Sequence, residues 1–290
     1  MSDIEVEEAP SAPELSTPNA TEIVTSDPNP ELADVLYADA RQAGKVNSGG
    51  DRTFSEAEMK GIEDEFLARL EGIDAKEKHP YHNADHTREV LDRTKEILAF
   101  EPEIPAPEAQ AAQFAALFHD FRHTGKTLRQ APDGLSNEQL ASIIADHHAK
   151  AKGFSLSQRV LSRGIILGTT FGNPSIKPET RLERIVAMAD IGGFRKPWDD
   201  WVEESARVLQ EADPATRPKD LAAWLKGRKG FLTGFIRPRL EALPPAKQAW
   251  EKELKDKEDI VDRLIAGDTG PDLEAVRKHI EPLLQPAATT

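Results

Sequence analysis

The sequence predicts an all-α fold of roughly ten helices, on three observations. From Thr53 onward, apolar residues recur at helical spacing. No alternating pattern of useful β-strand length is present, and no internal repeat. Breaks at Pro102 to Pro107, Pro132-Asp133-Gly134, Gly172-Asn173-Pro174 and Pro244-Pro245 cut the chain into helix-sized lengths. A first helix is expected from Ser55, with Glu58 three residues on completing a capping signature. Val90, Leu91, Thr94, Ile97 and Leu98 then form one apolar stripe. Ser136, ahead of Glu138 and Leu140, marks another start. Leu156, Val160, Leu161 and Ile165 form a second stripe, and Leu254, Val261, Leu264 and Ile265 a third. Trp198 and Trp201 are expected in the core, and Glu63, Glu65 and Glu71 as exposed helix charge.

Residues 1–50 stand apart. The first forty carry ten acids and no Lys or Arg, with five prolines between Pro10 and Pro30. Such a segment buries too little apolar surface to offset its ordering entropy, so a disordered acidic tail is expected. Glu31 to Ala43 is at most a marginal helix. The helical catalytic domain is expected over 51–286.

The formal net charge is −14, which repels nucleic acid backbones and anionic membranes, so neither is an expected partner. The absence of cysteine excludes disulfides, thiolate metal sites and cysteine nucleophiles, and is compatible with a reducing compartment. No secretory signal is visible, and no run approaches the roughly 18 apolar residues of a membrane span. The expectation is a soluble, cytoplasmic protein; nothing in the residues predicts its oligomeric state.

Seven of the eight histidines lie between His79 and His148. Two pairs are four residues apart: His82 and His86, and His119 and His123, with Asp120 directly after His119. On a helix that spacing aligns side chains one turn apart. Imidazole nitrogens and a carboxylate converging in this way suit a divalent metal. His79 and His279 are expected to be ordinary surface residues.

The run Tyr81-His82-Asn83-Ala84-Asp85-His86, followed by His119-Asp120-Phe121-Arg122-His123-Thr124-Gly125 and the distant Ala189-Asp190, resembles the HD-domain metal-dependent phosphohydrolases. Within them it is most similar to the catalytic domain of 3′,5′-cyclic-nucleotide phosphodiesterases. The resemblance extends through Asp146-His147-His148, Leu167 to Thr170, Trp198 to Glu204 and Gly230-Phe231 to Pro238, covering about residues 78 to 243. It implies that His86, His119, Asp120 and Asp190 ligate the tighter of two divalent ions, with Asp120 bridging to the second. Two imidazoles and two carboxylates suit Zn, Mn or Fe there, and a carboxylate-and-water site suits Mg or Mn.

The implied reaction is phosphodiester hydrolysis by hydroxide shared between the ions, with His82 donating a proton to the leaving oxygen. His123, His147 and Thr169 would support the ions from behind, through bound waters or by orienting partners. In other HD branches, histidines near His147 and His148 ligate the second metal. That leaves a mixed-metal oxygenase as an alternative, alongside a regulatory module that keeps its metal.

Departures from the family pattern concern the substrate. Leu128, Ala145 and Thr170 stand where the family has an asparagine and two acids. Arg228 replaces the glutamine that reads a base, ahead of Gly230-Phe231. A glutamine amide donates and accepts, whereas arginine only donates and matches carboxylate or phosphate. Arg228 and Phe231 are therefore the expected substrate contacts, and the partner is a small-molecule phosphoester without strong purine selectivity. Arg217, Lys219, Lys226, Arg228, Lys229, Arg237 and Arg239 share this stretch with one acid, Asp220. They are either a solvated helix face or a cationic rim.

Overall fold

The computed structural model describes residues 51–77, 79–123, 136–170, 178 and 180–284. The expected acidic tail, the breaks at Pro132-Asp133-Gly134 and Gly172-Asn173-Pro174, and Leu128 lie outside them. The described residues are helical, with no strand among them.

Helix α1 (Glu56–Glu77) begins at the expected capping box, where the Ser55 amide donates to Glu58 at 2.7 Å and the Glu58 amide donates to the Ser55 hydroxyl at 3.3 Å. Helix α2 (Ala84–Ala99) buries Val90, Leu91, Thr94, Ile97 and Leu98, as its stripe predicts. Helix α3 (Ala106–Phe118) opens after the Pro102–Pro107 break and is apolar on most sides, because neighbours cover it all round. Its Phe114 and Phe118 join Phe66 and Phe154 in an aromatic cluster, with ring centroids 4.0 to 4.7 Å apart. That cluster lies directly before His119 in the chain and fixes where α3 ends.

Helix α4 (Asn137–Lys152) starts from a Ser136–Gln139 capping box and α5 (Leu156–Gly168) from a Ser155–Gln158 box. Here the predicted stripe fails: Leu156 and Val160 are 69% and 60% exposed. The buried face of α5 carries Gln158 and Ser162 with Ile165 and Ile166. The Gln158 amide donates to the carbonyls of Arg52 and Pro107 at 3.0 and 3.1 Å, tying the chain entrance to the start of α3. A satisfied amide buries as readily as an apolar residue, and the helix rotates to use it.

Helix α6 (Arg181–Asp190) is capped by Thr180 and Glu183 and buries most of its residues. A short turn (Gly192–Arg195) leads to α7 (Trp198–Glu211), whose Trp198 and Trp201 are in the core as expected. Helix α8 (Leu221–Gly230) continues through a π-helical stretch (Phe231–Ile236) into α9 (Arg237–Glu241). Pro238 has no N–H for the carbonyl of Gly234, which removes one α-helical bond just where the wider turn occurs. Helix α10 (Pro244–Ile265) begins at the Pro244-Pro245 break and buries Trp250, Leu254, Val261 and Leu264, but Ile265 is 49% exposed at its frayed end. Helix α11 (Pro271–His279) packs on α7. With α8, the π stretch and α9 taken as one rod, the described residues hold ten helices.

Glu63 departs from expectation: it is 5% exposed and pairs with Lys95 at 2.7 Å, because α1 lies against α2 and the lysine neutralises it there. Glu65 and Glu71 are exposed, paired with Lys152 and Arg88.

Candidate metal centre

Both histidine pairs converge, but not on a helix face. Asn83 caps α2, its side chain accepting from the amides of Asp85 and His86, so His82 precedes the helix and His86 sits in its first turn. Helix α3 ends at Phe118, and residues 119–123 form turns, with Arg122 in the left-handed region at φ 67°. Chain reversals at helix ends, rather than one helical turn, align the members of each pair.

Four donors meet where α3 and α6 end and α2 begins. His86 Nε2 lies 3.2 Å from Asp120 Oδ2 and 3.2 Å from Asp190 Oδ1. His119 Nε2 lies 2.9 Å from Asp120 Oδ2, 3.4 Å from Asp190 Oδ1 and 3.4 Å from His86 Nε2. Bonds of about 2.0–2.2 Å to a common ion put neighbouring donors roughly 3–3.5 Å apart. The quartet therefore fits one divalent cation. His119 Nδ1 lies 2.8 Å from the Ala116 carbonyl, which leaves Nε2 facing the cluster. The C-termini of α3 and α6 add partial negative charge at the same point.

Electrostatics agree. Burial pulls the His86 and His119 imidazoles down, but hydrogen bonds to, and the charges of, Asp120 and Asp190 more than reverse this and raise both, His119 strongly. The same contacts hold both carboxylates low despite their burial, Asp120 well below the usual range. Such a cluster requires positive charge, from protons or from a cation.

A second donor group shares Asp120: His82, Asp120 and His123, with ligand atoms within 4.8 Å of one another. His82 and His123 stack with centroids 3.6 Å apart and planes 18° from parallel. Burial, and then the neighbouring His82 charge, push His123 down to about 4, so it is neutral at neutral pH and its lone pair is available.

That shift has a measurable consequence for the metal-free protein. Between pH 4 and the unfolded value near 6.5, the unfolded chain binds a proton at His123 that the folded chain does not. The resulting stability is present above about pH 6.5 and is lost as pH falls toward 4. Relative to wild type, His123→Gln is expected to flatten this acid limb by up to about 3 kcal/mol in urea unfolding at stepped pH. Parallel limbs in the two proteins would refute the assignment.

His82 is held from an unexpected direction. Glu211, at the end of α7, bonds His82 Nδ1 through one carboxylate oxygen and accepts the His82 amide through the other at 3.0 Å. The ring is thereby turned so that Nε2 faces Asp120 Oδ2 at 3.9 Å. Burial would raise Glu211, but the His82 ring and the Tyr81 and His82 amides outweigh it and keep the carboxyl ionised. Tyr81 packs its ring 4.8 Å from His82 and 4.4 Å from His86. Glu138, in the first turn of α4, is raised by burial and also by the charges of Asp120 and Asp190, which places a further carboxyl near the cluster. Glu211 carries no local signal: it is one acid among 51, at the end of an amphipathic helix.

Of the other expected residues, Thr169 is buried and its hydroxyl donates to the Ile166 carbonyl at 2.7 Å, capping α5. Among the described residues neither His147 nor His148 belongs to a donor group, and the His148 ring lies 5.2 Å from Phe118. Phe231 stacks on Phe235 at 5.5 Å, and the Arg228 guanidinium lies 5.1 Å from the Phe231 ring. No described helix is long and apolar enough to cross a membrane.

No protein-family model and no curated protein matches this chain. Among solved structures it is similar to the phosphodiesterase domain of the RhoPDE fusion protein from the choanoflagellate Salpingoeca rosetta. Identity is 17%, the match covers 84% of this chain and 99% of that one, and the TM-score is 0.49. A chemical role for the chain rests on its donor geometry rather than on this likeness.

Proposed function

We propose that this protein is a metal-dependent phosphohydrolase acting on phosphodiesters. The observation that carries the reading is Asp120, shared by two donor groups, with an oriented histidine facing it. Bound divalent ions would supply Lewis acidity toward phosphoryl oxygens and an acidified water as nucleophile. His86, His119, Asp120 and Asp190 would hold the tighter ion, of the Zn, Mn or Fe type. Asp120, with His123 beside it, would face a second, of the Mg or Mn type.

His82 is the proton donor of this scheme. Glu211 accepts at Nδ1 and stabilises the imidazolium, leaving the Nε2 proton for the leaving oxygen. The donor nitrogen thus ends neutral, and solvent reprotonates it. Neither a purely structural metal site nor a regulatory module requires a histidine locked in this way. The oxygenase alternative needs His147 or His148 as ligands, and neither stands with the donors.

The deciding experiment is metal analysis of the purified protein, then a hydrolysis panel. Bis(p-nitrophenyl) phosphate, cyclic mononucleotides, cyclic dinucleotides, nucleoside triphosphates and a simple phosphomonoester are compared with and without chelator. The expected result is chelator-sensitive diester hydrolysis, restored by Mn²⁺, with little preference between cyclic AMP and cyclic GMP. Bound metal with no hydrolysis of any ester would refute the reading.

A further inference from the structure

The structure sorts the basic residues of the 217–239 stretch. Lys229 pairs with Asp262 at 2.6 Å, Arg237 with Glu258, and Lys219 with its neighbour Asp220 at 3.9 Å. Arg217 donates to the Gln210 carbonyl at 3.2 Å. Arg239 lies 3.4 Å over the Phe235 ring and donates to that residue's carbonyl. Lys226 is exposed. The stretch is therefore no continuous cationic rim, since its charges mostly fasten the α8–α9 rod to α10 or to itself.

Arg228 is different. Among the described residues no carboxylate pairs with it, and its Nε is sealed from solvent without a hydrogen-bond partner. Its guanidinium lies against two aromatic rings, 5.7 Å from Trp224 and 5.1 Å from Phe231. Burial pushes it down to about 10, and the one side chain whose charge it senses is Tyr81. Tyr81 in turn packs on His82 and His86 and feels the charges of Asp190 and Asp120. A single tyrosine thus joins Arg228 to the metal-ligand cluster.

An enclosed guanidinium without a counter-charge weakens folding, and an apolar side chain of similar length would fill the same space without that cost. What the arrangement does offer is a planar fork of donors, held rigid by aromatic faces and paired with no carboxylate among the described residues. A donor-only fork pairs with phosphate or carboxylate, and it cannot read a purine edge in both orientations.

We infer that Arg228 docks a second anionic group of the substrate, a phosphate or carboxylate carried beyond the phosphoryl group that meets Asp120 and His82. This rests on the phosphohydrolase reading and narrows its substrates to diesters with an additional anion, with Phe231 as the apolar wall beside it.

The test uses matched probes: the dinucleotide ApA, its 5′-phosphorylated form pApA, and an analogue with a 5′-carboxylate. The full-length metal-loaded protein is expected to show a KM at least about tenfold lower for one or both anion-bearing probes than for ApA. A preference for only one of them identifies the anion. In Arg228→Met the preference is expected to collapse toward unity, and in Arg228→Lys, which keeps charge but not the fork, to be partly retained. The Tm of Arg228→Met is expected to rise by about 2–4 °C, since an unpaired charge is removed.

Binding is read separately in chelator, by quenching of tryptophan fluorescence. There the preference for the anion-bearing probes is expected in wild type and in Asp120→Asn but not in Arg228→Met. If no ester is hydrolysed yet this binding pattern holds, the phosphohydrolase reading falls and the anion site stands. Equal handling of all three probes by wild type, an unchanged preference in Arg228→Met, or a lowered Tm in that variant would each overturn the inference.

Discussion

Asp120→Asn is expected to lower kcat/KM for diester hydrolysis by at least about a thousandfold, some 4 kcal/mol of transition-state stabilisation, and to lose most of the bound metal on dialysis. The size follows from position. One carboxylate oxygen lies 3.2 Å from His86 Nε2, 2.9 Å from His119 Nε2 and 3.9 Å from His82 Nε2, and Asp120 belongs to both donor groups. An amide keeps the shape but removes the anionic donor, and its NH₂ cannot bind a cation. Elemental analysis beside the hydrolysis assay checks the two losses together. Full activity with full metal content would remove Asp120 from the centre. Asp190→Asn is expected to act in the same direction but to leave the His82–Asp120–His123 group intact.

His82→Ala separates chemistry from metal binding. It is expected to keep wild-type metal content while kcat falls by about 10²–10⁴, the usual contribution of a general acid. The loss should be largest for esters that release a sugar or alkyl hydroxyl. It should be smallest for nitrophenyl esters, whose leaving group departs without protonation. A purely structural histidine would not produce that leaving-group dependence. Glu211→Gln should lower kcat in the same leaving-group order, though less deeply, with KM and metal content unchanged, because Glu211 acts only through the His82 ring. Equal losses for both kinds of ester would sink the proton-donor role.

How much of this was legible in the chain depends on the range over which each feature is encoded. The stripe from Val90 to Leu98 and the capping residues Ser55 and Ser136 are local, and the structure bears them out. The stripe at Leu156 and Val160 fails because periodicity weighs only apolar residues, while Gln158 is buried by hydrogen bonds to carbonyls 51 and 106 residues away in sequence. Glu63 fails for the same reason, its partner Lys95 lying on another helix. Spacing singled out the two histidine pairs, but the helical geometry inferred from it was wrong. Asn83 and the left-handed Arg122 put chain reversals where a helical turn was expected.

By itself the sequence determined the helical class and the chemical inventory: imidazoles and carboxylates, no thiols, and an arginine where a base-reading amide was expected. Those are matters of residue identity and of spacing within a few turns. Only the tertiary structure decided that Asp190 closes the quartet, that Glu211 orients His82 from 129 residues away, and that Arg228 alone of its basic neighbours is enclosed without a hydrogen bond or counter-charge. The physical reason is that pairing and desolvation depend on which helices pack together, and side chains far apart in the chain carry no local mark of meeting.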